Sequence, residues 1–136
     1  MTLEEKRKAI ILFMRKKAEE ISRLTDNLVP PEEYFNDEDE EEIAGWPEDD
    51  VEFAFQKLSR TSGENDCDWC PWCALYFGSC ESCGYGHRHG VCAVGDDNNS
   101  YGIVVVGLDG SIAHEVGRDV LISLWSQAKE EVQNEG

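Results

Sequence analysis

The residues able to do chemistry are gathered in one stretch, Cys67-Asp68-Trp69-Cys70-Pro71-Trp72-Cys73 through Cys80, Cys83, His87, His89 and Cys92. It holds all six cysteines and two of the three histidines within 26 residues. The spacing is Cys-x2-Cys-x2-Cys-x6-Cys-x2-Cys, followed by His87-x-His89 and Cys92. Each Cys-x2-Cys lets two thiolates converge on one ion, as structural zinc requires. Eight ligands suffice for two closed tetrahedral zinc sites, and a single four-thiolate site with spare thiols fits less completely. The expected metal ligands are therefore Cys67, Cys70, Cys73, Cys80, Cys83, His87, His89 and Cys92, holding one or two Zn2+.

Three other chemistries use similar spacings. Cys67, Cys70 and Cys73 repeat the C-x2-C-x2-C core of bacterial ferredoxins, so an iron-sulfur cluster in an electron-transfer protein is the alternative. The fourth cysteine, however, comes after six residues and not three, with no proline behind it. Trp69-Cys70-Pro71-Trp72-Cys73 looks like a thioredoxin-type redox loop. That fold needs a later cis-proline, and Pro71 is the last proline of the chain. The six-cysteine, two-zinc DNA readers of fungi fail on spacing after Cys80 and on the missing basic residues. Trp69, Trp72, Tyr76 and Phe77 are expected to pack around the thiolates. His114, on a predicted strand face with Ile112 and Val116, reads as a core histidine. No Ser-His-Asp order, phosphate-binding glycine loop or nucleotide motif is present, so the chain does not read as an enzyme.

The run Cys70-x2-Cys73-Ala-Leu-Tyr-Phe-x2-Cys80-x2-Cys83, with Gly90-Val91-Cys92, resembles a group of small uncharacterised proteins, often of phage or prophage, that share a C-x2-C-x-L-Y, C-x2-C, glycine, cysteine pattern. The resemblance covers about a sixth of the chain. It implies metal binding and a viral origin, and the group has no assigned activity to carry over. Cys67 and the acidic segment lie outside the shared pattern.

Charge is the second signal. The formal net charge is -17 over 136 residues, and it is concentrated. Residues 24–56 contain thirteen Asp or Glu and no Lys or Arg, while the rest carries sixteen acids against twelve bases. A halophile-type coat would be spread over the whole surface; this is a segment. Naked nucleic acid and anionic membranes would be repelled, and a basic protein surface attracted. The expected partner is accordingly a basic, nucleic-acid-binding protein, met by nucleic-acid mimicry. The expected contact residues are Tyr34, Phe35, Asp37, Glu38, Asp39, Glu40, Glu41, Glu42, Trp46, Glu48, Asp49 and Asp50.

The elements that must position these residues follow from periodicity. Thr2 and Glu5 form a T-x-x-E capping box, and Ile10, Ile11, Met14, Ala18, Ile21 and Leu28 recur at helical spacing, which predicts a helix over 3–27. Leu3, Ile10, Met14, Ile21 and Leu24 resemble a partial a/d seam that would either cover the core or pair with a second copy as a homodimer. Pro30-Pro31 stops the helix, and Glu32 to Glu42 reads as a solvated loop or recognition arm docking through its aromatics. Pro47 with Glu48, Asp49 and Asp50 predicts a second helix start, with Val51, Phe55 and Leu58 inward and an end at Arg60 to Gly63.

Beyond the cysteines, 91–94, 101–108 and 111–116 alternate with Gly95 to Asn99 and Asp109-Gly110 turns, which predicts a three-stranded antiparallel meander. Val120, Leu121, Leu124, Trp125 and Ala128 predict a closing helix to about residue 132. The expected fold is thus α+β: a small metal-stapled module with a meander and flanking N- and C-terminal helices. It divides into 1–62, the first helix, acidic arm and second helix, and 63–136, the metal module, meander and last helix. No apolar run reaches the ~20 residues of a membrane span, and the N-terminus lacks a signal peptide's apolar core. The expectation is an intracellular protein, in host cytoplasm if viral, where clustered cysteines hold metal and not disulfides.

Overall fold

The computed structural model describes residues 1–24, 30–60, 71–76 and 118–135. They form α1 (Leu3–Leu24), a 3-10 turn (Pro31–Glu33), α2 (Asp37–Ala44), α3 (Glu48–Arg60), α4 (Pro71–Tyr76) and α5 (Arg118–Glu135). The α+β expectation is corrected. The described residues are 88% helical, with no strand or sheet among them. The physical reason lies in how the core closes. Every residue of the buried cluster comes from a helix or from the connections 34–35 and 46, so helices supply each other's apolar cover and no sheet face is called on. The meander positions 91–94, 101–108 and 111–116 lie outside the described residues.

The α1 helix begins as the sequence dictates. Thr2 N–H donates to Glu5 Oε1 (2.9 Å) and Glu5 N–H donates to Thr2 Oγ1 (3.1 Å), which closes the capping box. The backbone hydrogen bond from Thr2 holds the Glu5 carboxyl below its ordinary pKa. A lowered carboxylate contributes stability above its unfolded pKa and loses it as pH falls through the folded one, so this cap opens in acid.

Ala9, Ile10, Phe13, Met14 and Ala18 are buried along α1. That stripe is wider than a heptad seam because α1 packs on two sides, against α5 and against α3, and further along against the 3-10 turn and α2. Ile10 and Met14, members of the seam that could have paired with a second copy, are in the chain's own core. Phe13, which the periodicity reading passed over, is fully buried.

Trp125 joins three helices. Its ring meets Phe13 of α1 edge-on at 5.5 Å and Phe55 of α3 at 5.2 Å, and its indole N–H donates to Ser59 Oγ (3.3 Å). Leu121, Leu124, Ala128 and Val132 extend the same buried face of α5 at i, i+3, i+7 and i+11. Val120, expected inward, is exposed. Lys6 to Glu52 (3.2 Å) and Lys16 to Glu131 (2.9 Å) tie α1 to α3 and to α5 at the margin, where such pairs contribute about 0–1 kcal/mol each. The α1–α5 contact crosses residue 62, so residues from both predicted parts of the chain share one cluster. Among the described residues no helix is long and apolar enough to cross a membrane.

Removing the shared ring should therefore loosen three helices together. Trp125→Ala is expected to cost about 3–5 kcal/mol, and Trp125→Phe, which keeps most of the packing and loses the Ser59 bond, about 1 kcal/mol. Urea unfolding followed by circular dichroism at 222 nm measures both.

Candidate metal module and acidic face

Of the eight expected ligands, Cys67, Cys70, Cys80, Cys83, His87, His89 and Cys92 lie outside the described residues, as does His114. Cys73 belongs to α4 by its backbone. Among the described residues no three His, Cys, Asp or Glu side chains come together as a metal site. What the structure does show is the anchorage beside Cys73. Its neighbour Trp72 is 0% exposed, with its ring edge-on to Trp46 at 5.4 Å and to Phe35 at 6.4 Å. Trp72 is thus part of the helical core; the thiolates it was expected to pack around lie outside the described residues. Tyr76, Ala74 and Leu75 pack against the same core from the surface, and α4 rests on α3. Trp69 and Phe77 lie outside the described residues.

The acidic segment is folded. Asn36 Oδ1 accepts from the N–H groups of Glu38 (3.0 Å) and Asp39 (3.2 Å), while Asp39 Oδ2 accepts from Asn36 N–H (2.9 Å). This reciprocal N-terminal box starts α2, and the acids of the first turn sit where the helix dipole favours negative charge. At the other end Arg7 of α1 donates to the carbonyls of Ile43 (2.7 Å) and Trp46 (3.0 Å), so a cation meets the carbonyls at and just beyond the helix C-terminus. Ile43 is buried beneath. The loop that the charge run predicts is thus an amphipathic helix pinned at both ends. The signal was present in the sequence as Asn-x-x-Asp, hidden inside a run read only for its charge.

The twelve expected contact residues divide by place. Tyr34, Phe35 and Trp46 are buried in the chain's own core, so the aromatics expected to dock a partner are docked at home. Asp39 is 0% exposed and serves the cap. Glu40 is paired with Arg15 of α1. Asp37, Glu38, Glu41, Glu48 and Asp49 are exposed, and Glu42 and Asp50 partly so. These seven and Glu40 remain as the acidic face, carried by α2 and the first turn of α3. In α3 the acids Glu48, Asp49 and Asp50 again occupy the first turn, and Lys57 and Arg60 the last.

Against protein-family models, curated proteins and solved structures alike, the chain finds no match.

The division between structural and surface acids has a direct consequence. Asp39→Ala removes the acceptor of the partly buried Asn36 N–H and is expected to destabilise by about 1–2 kcal/mol. Glu41→Gln on the outer face should change stability by less than about 0.5 kcal/mol. The urea midpoints of the two variants, measured side by side, make the comparison.

Proposed function

We propose that the chain is a non-enzymatic, zinc-binding, acidic interaction protein of phage type, an inhibitor or adaptor working inside cells. It meets a basic nucleic-acid-binding protein with carboxylates in place of phosphates. The observation that carries this reading is the order of the acidic segment. A solubilising tail has no need of a fixed conformation, whereas a mimic of a phosphate backbone gains affinity when its charges are held in place before binding. In this chain α2 is capped by Asn36 and Asp39, closed by Arg7 and seated on Ile43. The exposed Asp37, Glu38 and Glu41 are consequently displayed from a rigid scaffold. Because like charges repel, such a display costs stability, and a metal-held module next to Trp72 would offset it; structural zinc contributes on the order of 10 kcal/mol in small domains.

The zinc half of the reading rests on the spacing of Cys67, Cys70, Cys73, Cys80, Cys83, His87, His89 and Cys92. Zinc has no d-electron transitions, so protein purified without oxygen should be colourless and carry one or two zinc ions by elemental analysis. Strong chelation should lower its melting temperature. Brown protein absorbing between roughly 320 and 450 nm would replace zinc with the iron-sulfur electron carrier.

The partner half has its own test. Immobilised protein should retain a basic nucleic-acid-binding protein that duplex DNA or RNA displaces, with retention falling steeply between about 50 and 200 mM salt. Replacing Glu38, Glu41 and Glu42 by Gln, with Asp39 left in place, should weaken retention and leave metal content unchanged. Retention that ignores both salt and these substitutions overturns the mimicry.

A further inference from the structure

The two ends of the acidic helix share one support. Phe35 stands immediately before Asn36, which caps the start of α2, and Trp46 stands immediately after Gly45, which closes its end. Both rings meet Trp72 edge-on, Phe35 at 6.4 Å and Trp46 at 5.4 Å. Trp72 is fully buried, and it is the second residue of α4, between Cys70 and Cys73 in the sequence. The side chain that bridges the ends of α2 is thus bracketed by two of the expected metal ligands.

Neither helix would hold its place alone. Isolated helices shorter than ~12–15 residues are marginal in water, and α4 has six residues and α2 eight. Six of the eight in α2 are acids, and like charges one turn apart weaken a helix further. α2 therefore depends on its end contacts. α4 depends on the burial of Trp72 and on what fixes the cysteines beside it. The seat is also finely balanced, because the indole N–H of Trp46 is buried with no acceptor among the described residues. A buried donor in that state costs about 1–3 kcal/mol, and water would satisfy it if α4 withdrew. A second hold on α4 therefore has something to decide.

We propose that metal at the cysteine cluster controls the display of the acidic helix. With metal bound, α4 keeps Trp72 between Phe35 and Trp46, and α2 stays ordered. With metal removed, Trp72 loosens and α2 frays from both ends. This is regulation of the face assigned above and rests on the zinc reading. The contact of α1 with α5 through Phe13 and Trp125 serves as the internal reference.

Full-length protein is prepared with zinc and, under a thiol reductant, stripped of it, with zinc content read by elemental analysis. Hydrogen exchange of the amides of residues 40–45 is followed by mass spectrometry. Stripping should speed exchange there by about tenfold or more, speed it less in α1 and α5, and be reversed by adding zinc back. Trp72→Leu should still bind zinc, while its exchange at 40–45 is fast in both forms and differs between them by less than about twofold. Trp125→Phe, at the reference contact, should keep the full zinc effect. Should Trp72→Leu lose its helices by circular dichroism, the milder Trp72→Phe is expected to reduce the zinc effect to about threefold. Stripping should also weaken binding of a fluorescein-labelled oligoarginine peptide to the parent at low salt, since charges on a frayed helix are no longer held in place.

Equal exchange at 40–45 in the zinc-bound and stripped parent would overturn the coupling and leave the zinc reading standing. Acceleration of α1, α2 and α5 alike would overturn it too, because zinc would then hold the fold as a whole. A zinc effect that survives in Trp72→Leu overturns the route through Trp72. Protein found to carry no zinc overturns the zinc reading, and the coupling falls with it. Retention of a DNA-displaceable basic protein is scored separately, so loss of the coupling and loss of the mimicry are told apart.

Discussion

Burial of the two-sided face of α1 is the constraint on which the rest of the described structure depends. A helix that buries Ala9, Ile10, Phe13, Met14 and Ala18 cannot be covered by one neighbour, because the stripe spans more than the width a single antiparallel helix shields. α5 takes one side, α3 the other, and Trp125 fills the angle between them against Phe13 and Phe55. The acidic segment is held by the same helix: Arg7 closes the end of α2 and Arg15 holds Glu40. With thirteen acids and no base in residues 24–56, α2 and α3 supply few cations of their own, and α1 provides them from across the core.

That arrangement explains how repulsion is managed without being abolished. Cations are placed at backbone carbonyls, at Glu40 and at Glu52, where geometry matters, while Asp37, Glu38, Glu41, Glu48 and Asp49 are exposed and in no ion pair among the described residues. The helix dipoles absorb part of the remainder, since the acids cluster in the first turns of both helices.

Local signals in the sequence were read well and long-range ones poorly. The Thr2–Glu5 box, the start of α3 behind Pro47, the inward Val51 and Leu58, and the face of α5 all follow from spacings of three and four residues. The α+β class did not follow, because turn signals such as Asp109-Gly110 carry no information about whether a core is closed by strands or by other helices. The acidic run misled in a related way. Read for charge it resembles a solvated arm, and its Asn36–Asp39 box and buried Ile43 become visible only when position within the run is considered. Of the residues named for the candidate site, the exposed acids lie on α2 and the first turn of α3. It misplaced Tyr34, Phe35 and Trp46, whose aromatic character serves equally for a partner or for the core, with only the tertiary structure to choose between them.

The closeness of Trp46 and Trp72 has an optical consequence. Two indoles 5.4 Å apart and nearly perpendicular share excitation, and coupled indoles give a near-ultraviolet dichroic signature that separated ones lack. One of the pair stands at the end of the acidic segment and the other is bracketed by Cys70 and Cys73. The chain thus carries a built-in spectroscopic ruler across the junction between its helices and its cysteines, readable without any added label.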